Sequence, residues 1–479
     1  MKRPLWMPAA IAALLAACAV GPDYHRPKFE ATAEYKETGD WKPSEPNDAT
    51  ARGPWWEIFN DPALNQLEVR IDISNENVKA AAAAFDQARA LVAQARAGFW
   101  PTISASASRL RSESGATSTT LTSAGVPVAT PARSSITNSA GISGSWDLDI
   151  WGKIRRTTES DRASAQSSAA ALAAARLSAQ ADLATDYFEL RAQDQLQKLL
   201  DDTVVAETRS LNITESRYKF GVAARADVVS AETQLLSSQA QQINAKIQRA
   251  VLEHAIAVLI GEQPASFSLS ASTMRTDVPT VPAGVPSTLL ERRPDVAEAE
   301  RKVAAANAQI GVATAAYFPD LTLGGSDDYS GNSLSHLIRA SNRVWSIGPS
   351  LAETLFDGGL RHAQVEQARA AYEGTVDTYR QTVLAGFQQV EDDVVTLRVL
   401  EQQAVIEDKT VKAAREAEAL TLNQYKAGTV PYSSVITAQT TRLSAEQTEL
   451  SVLSSRLQAS VALIEALGGG WSTSQLPLP

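Results

Sequence analysis

The sequence has few of the residues that build most catalytic and metal sites. Its 479 residues include one cysteine, four histidines and three methionines. The histidines are scattered along the chain, and no zinc-protease, P-loop or nucleophile-elbow motif is present. Methionine and histidine do not cluster as copper-handling proteins require. We therefore expect no enzyme, no metal site and no bound cofactor.

Positive charge and long apolar runs are also scarce. The formal net charge is −10, which disfavours a nucleic-acid partner. Beyond the first 17 residues, the sequence contains no run of about 20 apolar residues, which is the length that a helical membrane span needs. Any insertion into a membrane would therefore have to use β-strands.

The single cysteine, Cys18, follows a short secretory signal. Lys2 and Arg3 give a positive start, and an apolar stretch ends in small residues at 15–17. "LAAC" (15–18) resembles a bacterial lipobox, which implies cleavage after residue 17 and a lipid on Cys18, as S-diacylglycerol and N-palmitate. Ala19 stands where an aspartate would commonly retain a lipoprotein in the inner membrane, so the resemblance implies the outer membrane. An unmodified thiol beside an ordinary signal peptide is the alternative.

Two halves of the chain are built alike. "RYKFGVAARADVVSAETQLL" (217–236) aligns with "QYKAGTVPYSSVITAQTTRL" (424–443). Three shorter matches occur in the same order: 98–104 with 316–322, 149–155 with 355–361, and "LIGEQP" with "EALGGGW". Because their order is kept, these weak similarities together indicate an internal duplication.

Each half contains a very long helical stretch. Residues 153–220 contain no glycine or proline, and residues 360–427 contain only Gly374 and Gly386. At 1.5 Å per residue, a helix of about 68 residues is about 100 Å long. A globular core cannot bury such an element, so the pattern predicts long helices packed antiparallel.

Glycines mark the reversals between these helices. Gly221 and Gly428 follow the long stretches, where a helix commonly ends in a left-handed residue. The chain then returns through 222–260 and 432–467, which are also expected to be helical. A further helix is expected over 63–97.

Four stretches near 101–112, 136–150, 319–330 and 343–353 alternate apolar and small polar residues, as membrane strands do. Tryptophan and phenylalanine residues lie in or beside them, as in an interfacial belt. Four strands cannot close a membrane barrel, so several chains must share one. Two chains would give an eight-stranded barrel filled by side chains, whereas three would give twelve strands and room for a lumen, which a duct favours. A soluble β-sandwich is the alternative explanation of the alternation.

Four motifs then suggest a family: "CAVGPDYHRP" (18–27), "WWEIFNDPALNQL" (55–67), "LLERRPDVAEAE" (289–300) and "LGGGW" (467–471). They resemble the hallmarks of outer-membrane factor lipoproteins of the NodT-like branch. These proteins are the exit ducts of tripartite efflux pumps, often of the resistance-nodulation-division type. The resemblance spans nearly the whole chain.

The resemblance implies a mainly α-helical fold with a small β part. Three chains would form a twelve-stranded outer-membrane β-barrel above a long antiparallel α-helical barrel, the periplasmic tunnel. The tunnel would meet a periplasmic adaptor and an inner-membrane pump. The expected function is a passive exit duct for drugs or other small toxic compounds. Alternatives are a type I secretion duct for polypeptides and, in another class, a structural periplasmic coiled-coil lipoprotein.

The expected organisation has six segments. They are a signal peptide (1–17), a lipidated extended segment (18–60), a first efflux repeat (61–265), a proline-rich linker (266–287), a second repeat (288–471) and a tail (472–479). Pro294 in the "LERRPD" motif is expected in the first turn of a helix.

The turns at Gly221 and Gly428 are expected at the periplasmic tip, which family members hold nearly closed. Asp227 is the candidate for an acidic ring, because three copies around one axis would repel each other and attract cations. A helix cap or a solvent-facing residue is the alternative. Thr437 stands where many relatives have an aspartate, and it supplies no charge to such a ring. Tyr218 and Tyr425 are candidate hydrogen-bond latches, with ordinary packing as the alternative.

Overall fold

The computed structural model describes residues 19–29, 36, 53–115, 119–121, 127–129, 133–279, 281 and 292–477. The signal peptide, Cys18 and part of the proline-rich linker therefore lie outside the described residues.

Helices make up most of the described chain, and a short 3₁₀ helix at Trp55–Phe59 precedes them. The α-helices are α1 (Pro62–Ser74), α2 (Glu76–Ala97), α3 (Lys153–Lys219), α4 (Arg225–Leu259), α5 (Pro294–Ala315), α6 (Leu360–Ala427) and α7 (Tyr432–Ala466). The strands are β1 (Thr102–Ser114), β2 (Thr119–Leu121), β3 (Pro127–Ala129), β4 (Arg133–Asp147), β5 (Asp320–Gly331) and β6 (Arg343–Ala352).

The two longest helices confirm the prediction made for the long helical stretches. α3 has 67 residues and α6 has 68, each within one residue of its predicted end. Gly374 and Gly386 do not interrupt α6. Pro294 is the first residue of α5, where its missing N–H costs no hydrogen bond.

The prediction of one helix over 63–97 is wrong, because Asn75 divides that stretch into α1 and α2. Its backbone is extended, with ψ of 122°. Its side-chain carbonyl accepts a hydrogen bond from the Val78 N–H (3.0 Å), and its amide donates to the Leu259 carbonyl (2.7 Å). Asparagine is a favoured N-cap residue, so the tertiary contact and the cap together end one helix and begin the next.

Four strands form one antiparallel sheet in the order β1-β4-β5-β6. The two inner strands, β4 and β5, come from different halves of the chain and pair with each other, so β1 and β6 are left as the two edges. This confirms the four strands predicted from the alternation. The connection from β1 to β4 spans 115–132 and holds the small β2-β3 hairpin, whereas the connection from β5 to β6 spans only 332–342.

The two faces of this sheet differ in chemistry. One face has serine hydroxyls that hydrogen-bond in cross-strand pairs, 2.8–2.9 Å apart: Ser104 with Ser143, Ser108 with Ser139 and Ser112 with Ser135. The opposite face has exposed apolar side chains, including Ile103, Ile142, Ile347 and Leu351. A period of two along each strand separates the two sets.

The chain divides into two compact units. The unit that contains the sheet includes residues 87–165 and 302–376. The other includes residues 166–301 and the chain from 377 onward, and holds the main apolar core. In that core Trp55, Phe59 and Ile71 pack with Tyr187 and Leu457.

One carboxylate in the second unit is buried without compensation. Glu68 of α1 is fully buried, and neither of its carboxylate oxygens has a hydrogen-bond partner among the described residues. Burial, with a smaller contribution from the charge of Asp72, raises the pKa of Glu68 from 4.5 to about 9. The side chain is therefore protonated at neutral pH.

None of the helices in the described residues is both long enough and apolar enough to cross a membrane.

Candidate gate at the helical hairpin tips

Two tight turns reverse the chain between α3 and α4 and between α6 and α7. Gly221 and Gly428 occupy them with φ of 73° and 81°, a left-handed conformation that glycine adopts without a steric penalty. The hydrogen bonds repeat as well. The N–H groups of Val222 and Thr429 donate to the carbonyls of Arg217 and Gln424, at 2.8 and 3.0 Å. The duplicated sequence therefore makes the same helix end twice.

Tyr425 lies in a small buried cluster at this end of the molecule. Its side chain is 3% exposed, and its ring meets the Tyr432 ring edge to face at 5.1 Å. Its hydroxyl makes a long hydrogen bond of 3.4 Å to the Thr214 hydroxyl on α3. Tyr425 therefore ties the α6–α7 hairpin to the α3–α4 hairpin.

Arg217 of α3 makes a second connection between the hairpins. Its guanidinium carbon lies 4.9 Å from the Tyr425 ring centroid, within the range of a cation–π contact. It also donates a hydrogen bond of 2.8 Å to the Lys426 carbonyl, one of the last carbonyls of α6. Arg217 therefore holds both the side chain and the backbone at the end of α6.

Tyr218, the repeat counterpart of Tyr425, is placed differently. It is 40% exposed and does not belong to the buried cluster that Tyr425 forms with Tyr432. Of the two candidate latches, the structure places only Tyr425 between the hairpins.

Asp227 and Thr437 lie close in sequence to these turns. Asp227 is half-buried in the first turn of α4, where a negative charge interacts favourably with the helix dipole. Its aligned position in the second repeat is Ser434. Thr437 is exposed, and its hydroxyl donates to the Ser433 carbonyl one turn earlier, at 3.1 Å. The gating roles of both residues stay predictions.

Farther from the turns, buried polar contacts continue between the helices. The Gln439 amide donates to the Ser210 hydroxyl at 3.2 Å, and the Gln234 amide donates to Glu207 at 3.0 Å. Burial raises the pKa of Glu207, which is 3% exposed. Burial also raises the pKa of Tyr432 to about 12, so its hydroxyl stays neutral.

Within the second hairpin, three ion pairs join α6 to α7 or lie along α7. Arg442 pairs with Glu418 at 2.6 Å and with Glu446 at 2.8 Å, and Arg415 pairs with Glu446 at 2.7 Å. Glu446 is buried, so both arginines compensate its charge.

The sequence-based prediction missed Arg217, Thr214 and Tyr432. Arg217 stands one residue before the repeated Tyr-Lys-x-Gly motif, where the second repeat has Gln424. This difference between the aligned repeats could have identified Arg217 from the sequence. Among the described residues, no group of histidine, cysteine and acidic side chains is arranged to hold a metal ion.

Comparison with known proteins adds a family and a fold. The family model described as "Outer membrane efflux protein" matches residues 69–262 and 285–469. The chain is 29% identical over 475 residues to the probable efflux pump outer membrane protein TtgC of Pseudomonas putida, covering 98% of this chain and 96% of that protein. It is 30% identical over 438 residues to the pyoverdine export outer membrane protein OpmQ of Pseudomonas aeruginosa, covering 90% of each.

A solved structure of the outer-membrane channel OprN is similar over almost the whole length. The TM-score is 0.85 at 29% sequence identity, covering 95% of this chain and 100% of that one.

Proposed function

The chain belongs to the outer membrane efflux protein family, and on that premise we propose that it is the outer-membrane channel of a tripartite efflux system. The observation that carries this proposal is the family match over both repeats. The sheet supports it, because one face is apolar and the other has serine and threonine, as strands between lipid and a water-filled lumen require.

The free edges of the sheet support a barrel shared by several chains, and we infer a trimer. β1 and β6 are the edge strands, and unpaired backbone groups are prohibitively costly in lipid. Three chains joined edge to edge give a closed barrel of twelve strands with an open lumen. The long hairpins of the same three chains would line the periplasmic tunnel.

Partners and cargo are inferred from the relatives' names. TtgC is described as part of an efflux pump and OpmQ as a pyoverdine exporter. We propose that this channel likewise accepts small compounds from an inner-membrane pump through a periplasmic adaptor. These names favour small-molecule efflux over a type I secretion duct or a structural coiled-coil lipoprotein. The predicted division into repeats at 61–265 and 288–471 is part of the same proposal.

A lipid anchor at Cys18 is consistent with the position of the next residues of the chain. The Val20 N–H donates to the Trp151 carbonyl at 3.0 Å, and Arg156 donates to the Val20 carbonyl and pairs with Asp23. Trp151 in turn stacks on Phe318 at 4.6 Å, beside the end of the sheet. Val20 thus lies next to aromatic side chains of the kind found at a membrane interface.

The hairpin tips are the proposed periplasmic gate. The Tyr425 and Arg217 contacts would hold the hairpins together in the closed state. Three copies of Asp227 would form an acidic ring that binds cations.

Fractionation and labelling test the proposal directly. We expect the chain in the outer-membrane fraction as a heat-modifiable trimer, and labelled palmitate on the wild type but not on the Cys18→Ser variant. Crosslinking that stops at dimers would contradict the shared barrel. Unchanged palmitate labelling of the variant would contradict the anchor and leave the channel proposal intact.

A further inference from the structure

Two arginines of β1 interrupt the apolar face of the sheet at its loop end. On β1, Arg109 and Arg111 share a face with Ile103, because side chains two residues apart point to the same side. The register places Arg109 opposite Asn138 and Arg111 opposite Ile136. Both arginines are exposed. They are nearest the long β1–β4 connection, and such long loops face outward from the cell in outer-membrane barrels.

Their depth can be derived from strand geometry. A strand that rises about 3.4 Å per residue and tilts by about 40° advances about 2.6 Å per residue along the membrane normal. Trp146 is on the same face, at the opposite end of β4 from Asn138 and Ile136, the partners of the two arginines. We use Trp146, a residue of the aromatic belt, as the reference for depth. On this geometry Arg109 and Arg111 lie about 21 and about 26 Å above the level of Trp146. The apolar band of such barrels is about 25 Å tall and is flanked by aromatic residues on both sides. With Trp146 at its inner boundary, the arginines lie at its outer boundary.

Among the residues that the structure describes, no acidic side chain neutralises these two arginines. Among the described residues, neither Arg109 nor Arg111 forms an ion pair, although Glu113 is on the same face one step farther along β1. On the opposite edge strand the situation differs, because Arg343 forms a two-bond pair with Asp327 at 2.7 and 2.8 Å. At this boundary a guanidinium can reach the headgroup layer, where an anion such as phosphate compensates its charge and accepts its hydrogen bonds.

Closure of the barrel places both edges at one seam. β1 of each chain must join β6 of the next, since these are the two free edges. Arg343 and Trp345 are on the apolar face of β6, near its loop end. The seam thus combines the two arginines of β1 with the loop end of a neighbouring β6. Arginine binds phosphate with two parallel hydrogen bonds, and is the side chain best suited to that group.

We propose that each of the three seams binds a phosphorylated lipid of the outer leaflet, through its phosphate groups, with Arg109 and Arg111. This inference rests on the proposed trimeric channel. The acyl chains of the lipid would lie against Ile103 and the other apolar side chains of the same face, and the phosphate would lie between the two guanidinium groups.

The test uses the purified full-length trimer in detergent and bis-phosphorylated lipid A as the probe. Lipid retained per trimer is measured by native mass spectrometry, and the trimer's dissociation temperature is measured in parallel. We expect the wild type to retain the lipid and to dissociate at a higher temperature in its presence. The Arg109→Ser/Arg111→Ser variant is expected to bind at least about ten-fold more weakly, because it loses two bidentate phosphate contacts. Serine is already abundant in these strands, so it suits the fold.

Matched controls separate this site from general charge effects. Arg209→Ser/Arg225→Ser removes two exposed arginines of the periplasmic helices and is expected to bind lipid A as the wild type does. Arg109→Lys/Arg111→Lys retains the charge and is expected to retain part of the binding, so it also tests the site if the serine variant fails to assemble. Dephosphorylated lipid A has no phosphate, and phosphatidylcholine has one whose charge its own choline group neutralises, so both are expected to bind weakly to all variants.

Equal binding of lipid A by the wild type and the serine variant would overturn the inference. An equal stabilisation of the wild type by inorganic phosphate would overturn it too, because the site would then bind a free anion rather than a lipid. The absence of any trimer before lipid is added would instead refute the proposed function.

Discussion

The two hairpin tips have the same sequence motif and the same backbone turn, yet they place its tyrosine in different surroundings. Tyr218 is 40% exposed, whereas Tyr425 is 3% exposed beneath Arg217. Both turns have a left-handed glycine and the same closing hydrogen bonds. Local sequence therefore sets the shape of the tip, and the neighbouring hairpin decides which tyrosine becomes a contact.

Two buried acids at non-equivalent positions also differ in how their charge is compensated. In the second repeat, buried Glu446 pairs with Arg415 and Arg442. In the first, the carboxylate oxygens of buried Glu68 have no hydrogen-bond partner among the described residues. These two acids thus avoid an uncompensated buried charge in different ways, Glu446 by pairing with arginine and Glu68 by protonation.

Replacing each tyrosine by alanine is expected to give the largest difference in stability between the two tips. Tyr425→Ala leaves a cavity beside Tyr432 and removes the contacts of the Tyr425 side chain with Thr214 and Arg217, so we expect a local loss of about 3–5 kcal/mol. Tyr218→Ala is expected to change stability by less than about 0.5 kcal/mol. Amide hydrogen exchange over 208–216 measures the opening, and planar-bilayer conductance is expected to rise only in the Tyr425 variant. Equal conductance of the two variants would mean that Tyr425 does not hold the gate.

Replacing the buried glutamates Glu68 and Glu446 by uncharged glutamine is expected to affect stability differently at the two positions. Because the folded pKa of Glu68 is about 9, above its ordinary 4.5, the folded chain retains a proton that the unfolded chain releases. Stability is therefore expected to fall by about 1.4 kcal/mol per pH unit as pH rises from about 5 to about 8. Glu68→Gln is expected to remove this slope. Thermal unfolding followed by circular dichroism, at about pH 5.5 and about pH 8, measures it.

Glu446→Gln provides the matched control. It removes the negative charge that pairs with Arg415 and Arg442. We therefore expect the free energy of unfolding to fall by about 3 kcal/mol. If both variants respond to pH as the wild type does, Glu68 is not the source of the slope.

Arg217 tests how far the difference between the tips depends on one side chain. Arg217→Ala removes the contact with the Tyr425 ring and the hydrogen bond to the Lys426 carbonyl, with an expected loss of about 1–2 kcal/mol. Arg225→Ala removes an exposed charge from the other side of the same turn and is expected to be nearly neutral. Faster exchange at the tip in both variants would point to net charge rather than to the specific contacts.

Asp227 is expected to have the weakest influence. Asp227→Ala should weaken the block of the channel by multivalent cations from the periplasmic side by about fivefold, which corresponds to about 1 kcal/mol. Glu232→Ala, which removes an exposed acid farther along α4, is expected to leave the block unchanged. An unchanged block in the Asp227 variant would make Asp227 a helix-terminal residue only.

Local rules of the sequence account for the elements and their repetition. Helix ends at 153, 360 and 427, the four strands and the glycine turns could be predicted, because propensity, period and left-handed φ act over a few residues. The greater length of the β1–β4 connection, compared with the β5–β6 connection, also follows from the spacing of the predicted strands.

Packing between distant segments determines which residues meet. Asn75 divides a stretch that is helical by local pattern because its side chain also reaches the Leu259 carbonyl, 184 residues away. Arg217 covers Tyr425 rather than Tyr218 because it lies on the hairpin that packs against Tyr425. Glu68 lies on the same helical face as Leu64, Leu67 and Ile71, and the packing of that face buries it although a carboxylate favours water. Such contacts depend on the packing geometry of whole helices, which no local pattern of the sequence encodes.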